Sequence, residues 1–232
     1  MIRAILFDAG NTLIRMDYAA IARELARHGV VVTAEALQRA EWTTRVRIDA
    51  ELFAPAAPVS TESRDTTERY TQYLLDGVGA GDPALFARMM AWRRAYNPPV
   101  GLWTVAEPEA AAALTLARTA GIVTGVVSNS NGTIRGILES LDLAHHLDFI
   151  LDSQEEGVEK PDPRIFQLAL GRAGVAAADA AYIGDLYSVD VVGARRVGMR
   201  AVLMDPGGCW GARDCPSAPT VLDAVRLLLD QR

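Results

Sequence analysis

Four separated points along the 232-residue chain place chemically capable side chains directly after short apolar runs or beside turn-forming prolines. Asp8 follows Ile2 to Phe7, and Ser128 follows Ile122 to Val127. Lys160 sits in Glu159-Lys160-Pro161-Asp162-Pro163, and Gly184-Asp185 follows Ala181 to Ile183 with Asp190 close behind. Brought together, these carboxylates, the hydroxyl and the ammonium suit displacement at phosphorus. One carboxylate attacks, a divalent cation bridges it to the phosphoryl oxygens, and the hydroxyl and lysine bind the equatorial oxygens as charge builds. Oxygen ligands with several retained waters favour Mg²⁺.

Such a set works only if the fold delivers it to one place. The apolar runs are short, partly β-branched and end in polar turn residues, the pattern of a buried strand breaking into a loop. The pattern recurs at Phe149 to Leu151 before Asp152 and at Ala201 to Met204 before Asp205-Pro206-Gly207, giving five strands. Helical periodicity fills the intervals over Glu109 to Thr119, Ile134 to Leu141, Pro163 to Ala173 and Val189 to Val197. Alternation of this kind predicts an α/β fold, a Rossmann-like parallel sheet wound by right-handed crossovers that binds ligands at the carboxyl ends of its strands.

The rhythm changes from about residue 18 to 99. Here only helix-like segments occur, broken at His28-Gly29, Ala54 to Ser60 and Gly77 to Pro83, with apolar residues at helical spacing such as Tyr18, Ile21, Leu25 and Leu85, Met89, Trp92. The expected organisation is a catalytic core of residues 1–16 and 100–232, interrupted by an all-helical cap over 17–99. That cap ends at Asn97-Pro98-Pro99 and closes over the carboxyl edge of the sheet.

A net charge of −6 supplies no basic stripe, which argues against nucleic acid and anionic membrane surfaces as partners. The opening apolar run is too short for a signal-peptide core and no later stretch holds ~18 uninterrupted apolar residues, so a cytoplasmic protein, monomer or homodimer, is expected. Cys209 and Cys215 lie close together without nearby histidines, which favours two plain thiols over a disulfide or half of a metal site.

The segments Asp8-Ala9-Gly10-Asn11-Thr12, Val127-Ser128-Asn129, Lys160-Pro161-Asp162 and Gly184-Asp185-Leu186-Tyr187-Ser188-Val189-Asp190 stand in the order and positions of four family motifs. Through them the chain resembles the haloacid dehalogenase-like hydrolases over nearly its whole length. Its insertion resembles the helical cap of the subfamily that includes phosphoglycolate phosphatase, β-phosphoglucomutase and the 2-haloacid dehalogenases. The resemblance implies Asp8 as a nucleophile that forms an aspartyl intermediate, with Ser128 and Lys160 stabilising the transferring group and the nucleophile's charge. It implies Mg²⁺ on Asp8, the Gly10 carbonyl and Asp185, with Asp190 acting through the outer shell or through Lys160. It further implies Thr12 as a turn-orienting residue, Asn129 as a contact to substrate phosphate, and a small phosphorylated metabolite as substrate.

One position departs from the pattern. Family phosphatases place a second aspartate two residues after the nucleophile to protonate the leaving oxygen and activate water, and here that residue is Gly10. A phosphatase acting on a good leaving group such as a sugar 1-phosphate fits this, and so does a 2-haloacid dehalogenase, whose halide needs no acid. Gly184-Asp185 argues for the former. A phosphonatase-like Schiff base is disfavoured, because residues 13 to 120 contain no lysine. A binding protein that has lost catalysis is the third alternative.

Each residue also has a structural reading. Asp8 and Ser128 could cap turns, Lys160 could be solvated, and Asp190 could be a first-turn helix acid. In the helical insertion, Trp42, Arg45, Arg47, Tyr70, Tyr73 and Trp92-Arg93-Arg94 are candidates for substrate contact against a background of ordinary packing.

Overall fold

The computed structural model describes residues 1–54, 59–96 and 101–230. The expected break at Asn97-Pro98-Pro99 and the centre of that at Ala54 to Ser60 lie outside the described residues. In chain order the elements are β1 (Ala4–Phe7), β2 (Ile14–Arg15), α1 (Tyr18–Arg27), α2 (Ala34–Ile48), α3 (Arg64–Gly77), α4 (Pro83–Tyr96), β3 (Val105–Ala106), α5 (Ala110–Thr119), β4 (Val123–Ser128), α6 (Ile134–Ser140), β5 (Phe149–Asp152), α7 (Ser153–Glu156), α8 (Pro163–Ala173), β6 (Ala180–Gly184), α9 (Val192–Arg196), β7 (Arg200–Met204), β8 (Ser217–Ala218) and α10 (Val221–Asp230). They fall into two units, Met1–Arg15 with Val105–Arg232, and Met16–Thr104.

The first unit holds a parallel sheet in the order β5-β4-β1-β6-β7-β8. The chain builds outward from β1 through β4 to β5, then returns to the other side of β1 for β6 and β7. The strand order therefore reverses at β1, and the crevice beyond the carboxyl ends of β1 and its neighbours is where sheets of this kind bind ligands. All four residues of β1 are buried, as a central strand covered on both faces requires. The sheet has six strands where five were expected, because Ser217 and Ala218 pair with the end of β7. A pair that short carries no periodicity to read.

A second small sheet, β2 with β3, was equally invisible in the sequence. It is set up by the loop after Asp8. The Ala9 carbonyl accepts from the backbone N–H groups of Leu13 and Ile14 (both 2.9 Å), and Asn11 N–H donates back to the Ile14 carbonyl (2.6 Å). Asn11 turns the corner at φ 51°, a left-handed conformation that asparagine tolerates better than most side chains.

The second unit is helical throughout its described regular structure. Asp17, Thr33 and Ser63 cap α1, α2 and α3 by accepting from the N–H three residues on. Helix α2 continues into a wider π-helical turn at Asp49–Phe53. Its core gathers Ile21, Leu25, Leu37, Leu74, Leu75, Leu85 and Met89. No described helix is long and apolar enough to cross a membrane.

Candidate active site

Asp8 is the first residue past β1, and its backbone N–H donates to the Ile183 carbonyl of β6 (2.8 Å). That bond continues the sheet ladder just far enough to aim the carboxylate out of the carboxyl edge. Asp185 lies immediately beyond β6. Ligand oxygens of Asp8, Asp185 and Asp190 all lie within 4.8 Å of one another, and all three side chains are buried. Asn11 Nδ2 donates to Asp185 Oδ2 (3.0 Å), so the turn after the first carboxylate holds the second.

Gly184 explains why this packing is possible. A Cβ there would stand 2.5 Å from the Asp190 carboxylate carbon, so only glycine lets Asp190 fold back against the strand end. Asp190 Oδ2 accepts from the Leu186 N–H (2.9 Å), and Oδ1 accepts from Lys160 (2.8 Å). The helix expected from Val189 begins as a π-helical turn, Tyr187–Val191, before α9. The wider turn carries the buried Asp190.

Lys160 Nζ donates to Asp8 Oδ1 (2.6 Å), Asp190 Oδ1 (2.8 Å) and the Tyr182 hydroxyl (2.9 Å). An ammonium has three N–H donors, and these three acceptors match them. Lys160 is the only lysine in the chain; every other basic side chain except the three histidines is arginine. A compact ammonium can serve three converging acceptors, which a planar guanidinium cannot. Lys160 was expected to serve both the transferring group and the charge on Asp8, and in this geometry its three protons go to Asp8, Asp190 and Tyr182. The Ser128 hydroxyl, buried at the end of β4, makes only a long 3.4 Å contact with the Asn129 carbonyl.

The loop carrying Lys160 is pinned by Asn129. Its amide donates to the Lys160 carbonyl (2.9 Å) and accepts from the Lys160 N–H (2.8 Å). Asn129 thus has a positioning duty besides the substrate contact expected of it. Asp162 caps α8 by accepting from Arg164 N–H, with Pro163 opening the helix. Thr12 was expected to orient the turn. Its N–H donates to the Ala9 carbonyl (3.3 Å), while its buried hydroxyl has no hydrogen-bond partner among the described residues.

Sequence reasoning missed two contributors. Tyr182 sits in β6, and its only signal was a phenol inside an apolar buried run. Asp152, at the end of β5, accepts from Gln154 and Gly132 N–H groups (both 3.0 Å) and so anchors the loop after Ser128. Among the insertion candidates, Arg45 and Tyr70 are spent on Glu41 in a buried cluster, and Arg47 lies against Glu51 and the Tyr73 ring. Trp92 packs on Tyr96, and Arg93 donates to Thr71. Cys209 and Cys215 are free thiols.

Burial pushes the Asp8 carboxyl up to about 6, with Asp190 adding to the rise and Lys160 opposing it. Burial alone would lower Lys160, but Asp190 and Asp8 outweigh it and hold the ammonium charged. Burial also raises the Tyr182 phenol and keeps it protonated. Three clustered carboxylates, two of them paired to one ammonium, leave an excess of negative charge, and this hard oxygen donor set fits a divalent cation of the Mg²⁺ type. Because a cation must displace the Asp8 proton at low pH, its affinity is expected to fall about tenfold per pH unit below about 6 and to level off above. Calorimetric Mg²⁺ titrations between pH 5 and 8 check this, and an affinity indifferent to pH would contradict it.

The model of the haloacid dehalogenase-like hydrolases matches residues 2–198. Haloacid dehalogenase-like hydrolase domain-containing protein 3 of Bos taurus is 43% identical over 123 residues, which cover 53% of this chain and 46% of that protein. The match therefore spans less than half of the bovine protein. Glyceraldehyde 3-phosphate phosphatase of Methanopyrus kandleri is 30% identical over 209 residues, 89% of this chain and 85% of that protein. Among solved structures, 2-haloacid dehalogenase from Pseudomonas syringae pv. Tomato DC3000 superposes with a TM-score of 0.57 at 26% identity, covering 100% of both chains.

Proposed function

The chain belongs to the haloacid dehalogenase-like hydrolases, and from that premise we propose that it is a Mg²⁺-dependent phosphatase of a small phosphorylated metabolite, with Asp8 as nucleophile. The observation that carries this reading is the convergence of the Asp8, Asp185 and Asp190 carboxylates, with Lys160 paired to Asp8 and Asp190. Such a cluster repels any anionic substrate unless a divalent cation is present. A metal-free attack on a haloacid would meet that field with only the Lys160 ammonium to offset it.

Asp8, Asp185 and the Gly10 carbonyl would hold the ion, which when bound supplies charge neutralisation to the nucleophile and the phosphoryl oxygens. Lys160 favours the ionised form of Asp8 and occupies its Oδ1, which leaves the other oxygen to attack. That oxygen attacks phosphorus in line, the bond to the leaving oxygen breaks, and the electron pair departs with it. The Ser128 hydroxyl donates to a phosphoryl oxygen as its charge grows. Water then attacks phosphorus of the aspartyl-phosphate, releasing phosphate and restoring the Asp8 carboxylate.

Gly10 offers no side chain to protonate the leaving oxygen. Substrates with good leaving groups, such as sugar 1-phosphates, are therefore favoured. Gly10→Asp is expected to raise turnover of unactivated phosphomonoesters by up to ~10²-fold, the usual worth of a general acid. A rate that stays level or falls on alkyl phosphates would mean that another group already donates the proton.

The second reading is 2-haloacid dehalogenation, supported by the bare Gly10 and by the full-length likeness to the Pseudomonas syringae enzyme. Steady-state assays on p-nitrophenyl phosphate and 2-chloropropionate, each with Mg²⁺ and with EDTA, separate the two. Phosphate release abolished by EDTA supports the phosphatase. Chloride release indifferent to EDTA moves the assignment to the dehalogenase.

A further inference from the structure

Lys160 has a third partner for which the proposed chemistry has no use. The Tyr182 hydroxyl accepts from Lys160 Nζ (2.9 Å) and donates its single proton to the Val127 carbonyl (2.8 Å). Tyr182 belongs to β6 and Val127 to β4, and β1 runs between them. The side chain therefore reaches across the strand that carries Asp8 and ties the residue before Ser128 to the ammonium that holds Asp8. Its ring is wholly buried and packs edge-on against Phe166, with centroids 5.3 Å apart, so the hydroxyl has little freedom to wander.

We propose that Tyr182 is a positioning residue whose hydroxyl locks the Lys160 ammonium onto Asp8 and Asp190 and fixes both relative to Ser128. With its proton given to Val127, the phenol presents only a lone pair to Lys160. The ammonium then has one N–H for each of Asp8, Asp190 and Tyr182, and none left to swing toward a phosphoryl oxygen. This divides the labour at the site: Lys160 serves the nucleophile, and the β4 hydroxyl serves the transferring group. Without the phenol oxygen, the third N–H and the Val127 carbonyl both lose their partner in a buried setting. The ammonium then rotates away from its two carboxylates to satisfy that proton.

The kinetic consequence rests on the phosphatase reading; the placement of Lys160 does not. Tyr182→Phe keeps the ring and removes the oxygen. Because Lys160 is the only lysine, protein grown on ¹⁵N-lysine gives a single side-chain ammonium signal. In the wild type that signal is expected to exchange slowly with water, and in Tyr182→Phe to shift and exchange faster. Turnover of p-nitrophenyl phosphate with Mg²⁺ is expected to lose about 10- to 100-fold in kcat, the usual cost of removing an outer-shell partner, with KM nearly unchanged. A rapidly exchanging Lys160 ammonium in the wild type would overturn the proposal without any variant. So would a variant with wild-type kcat and a lowered Tm, since that is the behaviour of a structural strut, or a loss carried by KM. If the wild type hydrolyses no phosphomonoester, the phosphatase reading fails by itself, and the ammonium signal still decides the role of Tyr182.

Discussion

Asp8→Asn is expected to reduce turnover by at least about 10⁴-fold while leaving the fold standing. In the proposed mechanism the amide removes the attacking oxygen's charge and one hard metal ligand, and neither neighbouring carboxylate is placed to take over. Asp190 is tied through both oxygens, to Lys160 and to Leu186 N–H, and Asp185 is held by Asn11. The effect on stability has the opposite character. The folded protein raises the Asp8 carboxyl from 3.8 to about 6, so it binds that proton more tightly than the unfolded chain does. This group's contribution to stability is therefore full below about pH 4 and lost as pH rises through about 6. Asparagine carries no such penalty and can still accept from Lys160. The metal-free variant is expected to melt within a few degrees of the wild type at pH 8. Thermal melts beside rate measurements check both halves, and a variant that turns over at the wild-type rate would remove Asp8 from the chemistry.

Lys160→Met is expected to damage both activity and stability. Removing one partner of a buried ionic cluster typically costs about 3 kcal/mol or more, because the remaining charges stay buried without compensation. For a chain of this size that corresponds to a Tm lower by roughly 6–12 °C. Here Asp8, Asp190 and the Tyr182 hydroxyl all lose a donor at once. Turnover is expected to fall by about 10² to 10³, as when a preorganised charge-stabilising donor is deleted. Lys160 acts to lower the Asp8 carboxyl, so its loss lets that group rise further, and the acid limb of the pH–rate profile is expected to move to higher pH. The double variant Asp8→Asn with Lys160→Met is expected to recover part of the lost stability, since one of the stranded charges has gone. Additive losses in that cycle would mean that the two side chains do not interact in solution. Lys160→Arg is expected to fare little better, because a guanidinium fork does not match three converging acceptors.

How far the sequence disclosed this arrangement depends on what each residue does. The strands ending in Asp8, Ser128 and Asp185 were legible because a buried parallel strand is a short apolar run and its carboxyl end is a polar turn. The parallel order followed from the alternation with helices. The two-residue pairings at Ile14–Arg15 with Val105–Ala106, and at Ser217–Ala218, were not legible, because pairs so short leave no periodicity. The site was legible as a list of residue types but not as a set of partnerships. Nothing in the spacing says that Asn129 spends its amide on the Lys160 backbone, that Tyr182 reaches over β1 to Val127, or that Gly184 must be glycine because Asp190 packs against it. Those are long-range contacts, set by sheet order rather than by local pattern. Of the two roles expected of Lys160, toward the transferring group and toward the charge on Asp8, its bond to Asp8 bears on the second.

The most direct test of the account is to trap the covalent intermediate. Protein turning over p-nitrophenyl phosphate with Mg²⁺ is quenched in acid, reduced with borohydride and mapped by mass spectrometry, which converts an aspartyl-phosphate to homoserine. The expected result is homoserine at position 8 alone, lost when EDTA replaces Mg²⁺ and absent from Asp8→Asn. Steady phosphate release with residue 8 unmodified, or with the mark on another carboxylate, would contradict the central claim that Asp8 is the nucleophile.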